Sequence, residues 1–301
     1  MNEKKLIRTV EEFLDVKIEE IQTPPQGMDS KVLFVVDQER KEYVIKLSEG
    51  ALVDAKAYEL LAQNDVKIPV PKLFGMFDFD NKPVIIMERI QFPLLESIPV
   101  KQMSNYISSM IKNLKLIHKV KSQKSGFLNN LDSKKSWKEH LLSKFNGTDS
   151  ELNWEEISNR EGIDKELVLS AVEKIRDEIS NTIMIDSNYS LIHTDFNQRN
   201  LFVDTKTKEI AGIIDWGEAM FGDPIFDFAR VRMYIWHFDL GQDVVENYYN
   251  IMNYTESERH LDNLYWFTRV VEYLAYYSEE LNEFNLDRIN MHQKFLRKNF
   301  V

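Results

Sequence analysis

The sequence predicts an α+β fold in two lobes, a small sheet-rich lobe over residues 1–88 and a larger helical lobe over residues 89–301. Three observations predict it. Runs of strand length and strand composition, Val32 to Val36, Tyr43 to Leu47 and Pro83 to Ile90, crowd the N-terminal part of the chain. From Lys101 onward, long stretches instead place apolar residues at helical spacing. A length of 301 residues is enough for two cores of useful size.

Composition narrows the function. Hydrophobic residues make up 43% of the chain and charged residues 29%, the balance of a globular protein rather than a disordered or fibrous one. Cysteine is absent, which excludes disulfides, thiolate metal sites and thiol nucleophiles. The histidines at 118, 140, 193, 237, 260 and 292 lack the spacing of a zinc cluster. A net charge of −11 argues against a nucleic-acid partner, which calls for a basic footprint, and permits a cationic small molecule. The opening residues Met1 to Arg8 lack the apolar block of a signal peptide, and no run approaches a membrane span. A cytoplasmic protein without a membrane partner is expected.

Chemistry concentrates in Leu191-Ile192-His193-Thr194-Asp195-Phe196-Asn197-Gln198-Arg199-Asn200-Leu201-Phe202-Val203-Asp204 and its sequel Ile213-Ile214-Asp215-Trp216-Gly217. Both read as short apolar strands with turn chemistry between them, each handing a carboxylate to one site. A hydroxyl attacking a nucleoside triphosphate needs a carboxylate to orient it and take its proton, the role expected of Asp195. Mg²⁺ needs hard oxygen ligands, and Asn200 and Asp215 supply one each. His193 is expected to brace the loop by hydrogen bonding.

The pattern H-x-D-x-x-x-x-N followed by D-x-G resembles the catalytic loop and metal-binding segment of the protein-kinase-like superfamily. More narrowly it is similar to the aminoglycoside phosphotransferase family, in which a G-D-P-x-x-D run follows, here Gly222-Asp223-Pro224-Ile225-Phe226-Asp227. Within that family, Gly27-Met28-Asp29-Ser30, Asp54 and the string from Asp215 to Asp223 look most like hygromycin B phosphotransferases. The resemblance implies a bilobal protein-kinase-like fold with the nucleotide between the lobes.

The elements follow in order. Leu6, Val10, Phe13 and Leu14 mark an amphipathic opening helix, and Ile18 to Ile21 and Val32 to Val36 are strands joined by a turn at Thr23 to Ser30. In the kinase-like reading that turn covers the nucleotide phosphates, with backbone N–H groups near Gly27 to Ser30 and the Ser30 hydroxyl as donors. Alternation along Tyr43-Val44-Ile45-Lys46-Leu47 puts Val44 and Lys46 on one face, where Lys46 would hold the α- and β-phosphates.

The lysine needs an acid on the next helix. By resemblance this is Asp54, ahead of Ile68-Pro69-Val70-Pro71. Glu59 lies about 140° further round that helix at 3.6 residues per turn, so the two acids do not share one lysine. An Asp is one methylene shorter than the family's usual Glu. The strand Pro83 to Ile90 corresponds to the hinge, with Met87 bordering the base and the backbone of Glu88 and Ile90 bonding the purine, ATP and GTP being left open.

Met103, Tyr106, Ile107, Met110, Ile111, Leu114 and Ile117 make a helix ending at His118. Lys121 to Asn130 reads as loop, and Leu167, Ala171, Ile175 and Ile179 as a further helix. Trp137 and Trp154 line the acceptor pocket or belong to the core. Asp223-Pro224 starts a helix, with Asp227 one turn in as an architectural residue. Between Asp215 and Glu246 seven acids face two arginines. That excess suits an acceptor carrying several ammonium groups, with Glu218 and Asp239 as its expected contacts. Leu264, Phe267, Val271 and Leu274 mark a late helix.

The resulting expectation is a Mg²⁺-dependent small-molecule kinase that moves the γ-phosphoryl of ATP or GTP to a hydroxyl of a cationic aminoglycoside. The alternatives are a kinase for another small alcohol (a macrolide, choline or an amino-acid metabolite) and a nucleotide-binding pseudokinase.

Overall fold

A computed structural model describes residues 2–24, 30–130, 135–146 and 152–300. In chain order the N-terminal elements are α1 (Glu3–Leu14), β1 (Ile18–Gln22), β2 (Lys31–Asp37), β3 (Glu42–Leu47), α2 (Ala51–Gln63), β4 (Leu73–Phe79) and β5 (Lys82–Glu88). Then come a 3₁₀ turn at Leu95–Ser97, α3 (Val100–Met103), a second 3₁₀ turn at Ser104–Tyr106, α4 (Ile107–Ile117), β6 (Lys121–Ser122) and β7 (Gly126–Phe127). The remainder is α5 (Trp137–Leu142), α6 (Trp154–Ser158), α7 (Lys165–Asn181), β8 (Tyr189–Ile192), β9 (Leu201–Asp204), β10 (Glu209–Ile213), β11 (Met220–Gly222), α8 (Ile225–His237), α9 (Gln242–Met252), α10 (Glu256–Tyr277) and α11 (Glu283–Phe300). The protein is α+β, with its large sheet near the N-terminus and its helices concentrated toward the C-terminus.

Packing sorts the chain into two compact units. The first comprises Met1–Val120, Phe127–Asn129 and His193–Met220. Its five-stranded sheet runs β1-β2-β3-β5-β4, every neighbouring pair antiparallel. Period-2 alternation gives that sheet two different faces. On one, Leu33, Val35, Tyr43, Ile45, Val84 and Ile86 bury against Leu6, Ile7 and Val10 of α1. The α1 helix starts where the Asn2 side chain accepts from Lys5 N–H and stops at Asp15 in the left-handed region. On the other face, Lys46 stands opposite Ile85 in the β3–β5 register, and α2 packs on β5.

The same unit holds the β9–β10 hairpin. A strap runs beside it: Val203 N–H donates to Pro93 O (2.9 Å), Leu94 bridges Phe202, and Glu96 N–H donates to Gln198 O (3.1 Å). The apolar positions from Met103 to Ile117 are buried, but they do not form one helix. The chain breaks into α3, a 3₁₀ turn and α4 at Ser104-Asn105, two residues whose short polar side chains favour local turns over helix interior.

The second unit comprises Lys121–Gly126, Asn130–Ile192 and Phe221–Val301. Helix α10 runs through it, packed on α7, α8 and α11. Trp137 and Trp154 are core residues here. Trp137 is fully buried against Phe226 with its indole N–H on Tyr265 Oη (2.9 Å), and Trp154 donates to Lys144 O (2.7 Å). Asp223 opens α8 by accepting from Ile225 N–H (2.9 Å) and is held by Tyr265 Oη (2.9 Å). No helix among the described residues is long and apolar enough to cross a membrane.

Candidate active site

Lys46 reaches the site because period-2 alternation turns it away from the α1 core. Its ammonium lies 2.7 Å from Asp54 Oδ2 and 2.6 Å from Asp215 Oδ1. Glu59 sits on the exposed side of α2, so the pairing falls to Asp54. Asp54 does more than balance charge, since its other oxygen accepts from Trp216 N–H at 2.6 Å. One carboxylate on α2 thus ties the β3 lysine to the Asp-Trp-Gly segment.

Burial opposes the charge on Lys46, but Asp54 and Asp215 more than offset it and hold the ammonium above its ordinary value. Burial pushes the Asp54 carboxyl upward, with Lys46 pulling the other way. The two carboxylates differ in access: Asp54's side chain is 1% exposed and Asp215's 49%. Asp54 is therefore an internal strut, while Asp215 faces solvent.

Trp216 is fully buried, edge-on to Tyr58 of α2 (6.4 Å between centroids) and close to His193 (4.5 Å). Gly50, at the start of α2, approaches Gly217 so closely that a Cβ on Gly50 would lie 3.0 Å from Gly217 Cα. Two glycines make that backbone contact possible.

The catalytic-loop candidate is anchored from several sides. His193 is buried, its Nε2 is 3.0 Å from Ile214 O, and because a carbonyl only accepts, Nε2 carries the proton. Thr194 and Asp215 both have φ of +65°. For a β-branched residue such as Thr194 this is a strained conformation, costing on the order of 1–2 kcal/mol. Its Oγ1 donates to Glu218 O (3.0 Å).

Asn200 Nδ2 donates to Asp195 O and to Asp195 Oδ2, both at 2.9 Å. Both partners only accept, so the amide orientation is determined and its oxygen faces elsewhere. Ile214 N–H donates to Asn200 O (3.0 Å), which sets Asn200 beside the residue preceding Asp215. Asp195, Asn200, Asp215, Lys46 and Asp54 thus belong to one compact unit.

The other expected site residues are distributed more widely. Ser30 directly precedes β2, whereas Gly27, Met28 and Asp29 lie outside the described residues. Met87 is buried near the end of β5, and Glu88 N–H is committed to Lys72 O (2.9 Å). Ile90 lays its side chain over Gly212 of β10. Glu218 is exposed in the first unit and Asp239 exposed in the second. Of the seven acids from Asp215 to Glu246, Asp223 and Asp227 are buried.

Sequence reasoning missed Asn197, whose Nδ2 donates to Asp195 Oδ1 (2.8 Å). The available signal was an Asn two residues beyond Asp195 in a turn. It also missed the Trp216 N–H, a main-chain group that no residue type announces.

Comparison with known families agrees with this geometry. The model of the phosphotransferase enzyme family, APH, matches residues 20–258. The chain belongs to that family. Family membership and fold indicate a small-molecule kinase. No curated protein sequence matches the chain.

Solved structures share the fold of this phosphotransferase at low identity. An apo thermostable mutant of aminoglycoside phosphotransferase APH(4)-Ia matches with a TM-score of 0.75 and 16% identity, over 97% of each chain. A ternary complex of that enzyme with ADP and hygromycin B gives 0.74 at 16% identity, over 98% of this chain and 97% of the other. Macrolide 2'-phosphotransferase type I gives 0.65 at 13% identity, over 98% and 96%. The fold is protein-kinase-like.

Proposed function

We propose that this chain transfers the γ-phosphoryl of ATP or GTP to a hydroxyl of a small cationic acceptor, an aminoglycoside, as a cytoplasmic antibiotic-resistance enzyme. The observation that carries the reading is the network around Lys46. Its ammonium bonds Asp54 and Asp215, while Asn200 bonds Asp195 and, through Ile214, the strand leading to Asp215. Neighbouring structures with ADP or AMP-PNP and hygromycin B support a nucleotide and an aminoglycoside as co-substrates.

Each residue then has a task. Asp195 orients the acceptor hydroxyl and accepts its proton. Lys46, kept charged by its carboxylates, would release Asp215 and grip the α- and β-phosphates. Ser30 would add its hydroxyl to the phosphate end. Met87 borders the purine, and the Glu88 carbonyl and Ile90 backbone bond it, Glu88 N–H being already committed. Glu218 and Asp239 are the proposed counter-charges for acceptor ammonium groups. Residues 1–88 would carry the nucleotide-binding sheet, and 89–301 the catalytic loop and acceptor-binding helices.

The donor set fits Mg²⁺. Asn200 has its amide nitrogen fully committed to Asp195, leaving a neutral hard oxygen, and Asp215 offers a half-exposed carboxylate. One or two such ligands, completed by phosphate and water, are what Mg²⁺ takes, whereas no group of three His, Asp or Glu gathers among the described residues. Bound there, the ion would neutralise charge on the transferring phosphoryl group.

A second reading is favoured by one observation, the shared fold of macrolide 2'-phosphotransferase type I. A panel decides: aminoglycosides including hygromycin B, macrolides, choline and hydroxy-amino acids, each with ATP or GTP and Mg²⁺, with product detected by mass. A phosphorylated aminoglycoside is the expected result. Phosphorylated macrolide alone would transfer the assignment to the second reading. Nucleotide bound without product would make the chain a pseudokinase.

A further inference from the structure

We propose that Asn197 is a positioning residue for Asp195: its amide holds one carboxylate oxygen while Asn200 holds the other, so that the plane of the base is set before the acceptor arrives. The inference rests on the phosphoryl-transfer reading for its catalytic meaning. Its geometry stands independently.

What each atom can donate or accept fixes the orientation of the amide. Arg199 N–H donates to Asn197 Oδ1 at 2.8 Å, and a main-chain N–H can only donate. The oxygen of Asn197 must therefore face Arg199, which turns Nδ2 toward Asp195 Oδ1, 2.8 Å away. Asn200 Nδ2 takes Asp195 Oδ2 at 2.9 Å. A carboxylate held by one oxygen still pivots about its terminal bond. Held at both oxygens by two separate donors, it does not.

A carboxylate whose plane is fixed in this way receives a hydroxyl proton along a defined line. A placement error of about 1 Å at such a group can cost 10²-fold in rate.

The loop carrying Asn197 is itself fixed. Glu96 N–H donates to Gln198 O (3.1 Å), and the Glu96 carboxylate lies 3.4 Å from Arg199 Nε. The strap from Pro93 to Ser97 thus holds the two residues after Asn197 by main chain and side chain. Arg199 works through its own N–H, which orients the Asn197 amide.

The test separates contact from catalysis. Asn197→Asp keeps the acceptor for Arg199 N–H and removes the donor to Asp195, while Asn197→Ala removes both without adding charge. Both should lower kcat by about 10-fold or more with the nucleotide KM within about twofold, and Asn197→Asp should keep the parent's melting temperature. The contact is read without any acceptor from the side-chain amide resonances of Asn197 in the free protein. One proton should lie downfield and move on Asp195→Ala.

A kcat within twofold of the parent in both variants, or a loss confined to KM, would overturn the positioning role. An amide signal indifferent to Asp195→Ala would overturn the contact. A parent chain that phosphorylates nothing in the panel would refute the reaction and with it the catalytic role, while the amide signal still reports the clamp.

Discussion

The carboxylate of Asp54 and the main-chain N–H of Trp216, 162 residues apart in sequence, meet at 2.6 Å while the other oxygen of the same carboxylate holds Lys46. Two donors of different kinds converge on a single buried acceptor group.

Replacement at Asp54 should therefore be costly in a particular way. Asparagine offers one acceptor where two donors wait, so Asp54→Asn leaves either Trp216 N–H unsatisfied or Lys46 with Asp215 alone and should destabilise by about 2 kcal/mol or more. Asp54→Ala removes both acceptors from a buried pair and should cost about 3–5 kcal/mol. Urea unfolding measures both, and an Asn variant as stable as the parent would show that the bridge contributes nothing.

Asp195→Asn should behave in the opposite manner. Asp195 sits in the loop rather than the core, so the donor left without an acceptor should cost no more than about 1 kcal/mol while turnover falls by about 10²-fold or more, the scale of a positioned acid–base group. Nucleotide affinity, measured by calorimetry, should be nearly unchanged. Undiminished turnover would remove Asp195 from the reaction.

At Gly50 the expected effect is steric. A Cβ there would stand 3.0 Å from Gly217 Cα, and backbone cannot swing aside as a side chain does. Gly50→Ala should cost about 1–3 kcal/mol and weaken nucleotide binding by displacing the Asp-Trp-Gly segment. Gly217→Ala, whose Cβ would meet Gly50 Cα at 3.4 Å, should be milder in the same assays.

Acid sensitivity should trace to buried histidine. Burial lowers His292 to about 4 from 6.5, so the unfolded chain binds the extra proton. Stability from this group is then present above pH 6.5 and lost as pH falls through 4. Between pH 7 and 4.5 the parent should lose about 2–3 kcal/mol more than His292→Phe. His140, lowered to about 3, and Asp262, raised to about 6 and acting in the opposite sense, titrate in both proteins and cancel in the difference. Equal pH slopes would contradict the assignment.

What could be read from the chain, and what could not, follows from the range of each interaction. The Asp195, Asn200 and Asp215 grouping was legible because turn chemistry and spacing are local. Strand alternation put Lys46 on its face, and the family resemblance named Asp54 as its partner, helix geometry adding only that Asp54 and Glu59 do not share one lysine. The Lys46–Asp215 contact joins elements 169 residues apart, and no periodicity encodes it. The αL conformation of Thr194 is a tertiary outcome that overrides local preference, whereas the break at Ser104-Asn105 follows a local turn preference hidden by the helical spacing of the flanking apolar residues. The acidic run showed charge but not burial; Asp223 and Asp227, set apart as architectural by the Asp-Pro helix start and the family resemblance, are buried. Helices α9 and α11 have patterns that earned no reading in the sequence.

Every side chain assigned to phosphate, ion or proton lies in a body assembled from three separated stretches, and the described residues between Asn130 and Ile192 belong to the other unit. Substitutions in that block leave the identities of the proposed reacting residues unaltered. A lineage built this way can alter its acceptor contacts while inheriting the proposed phosphate, ion and proton residues intact.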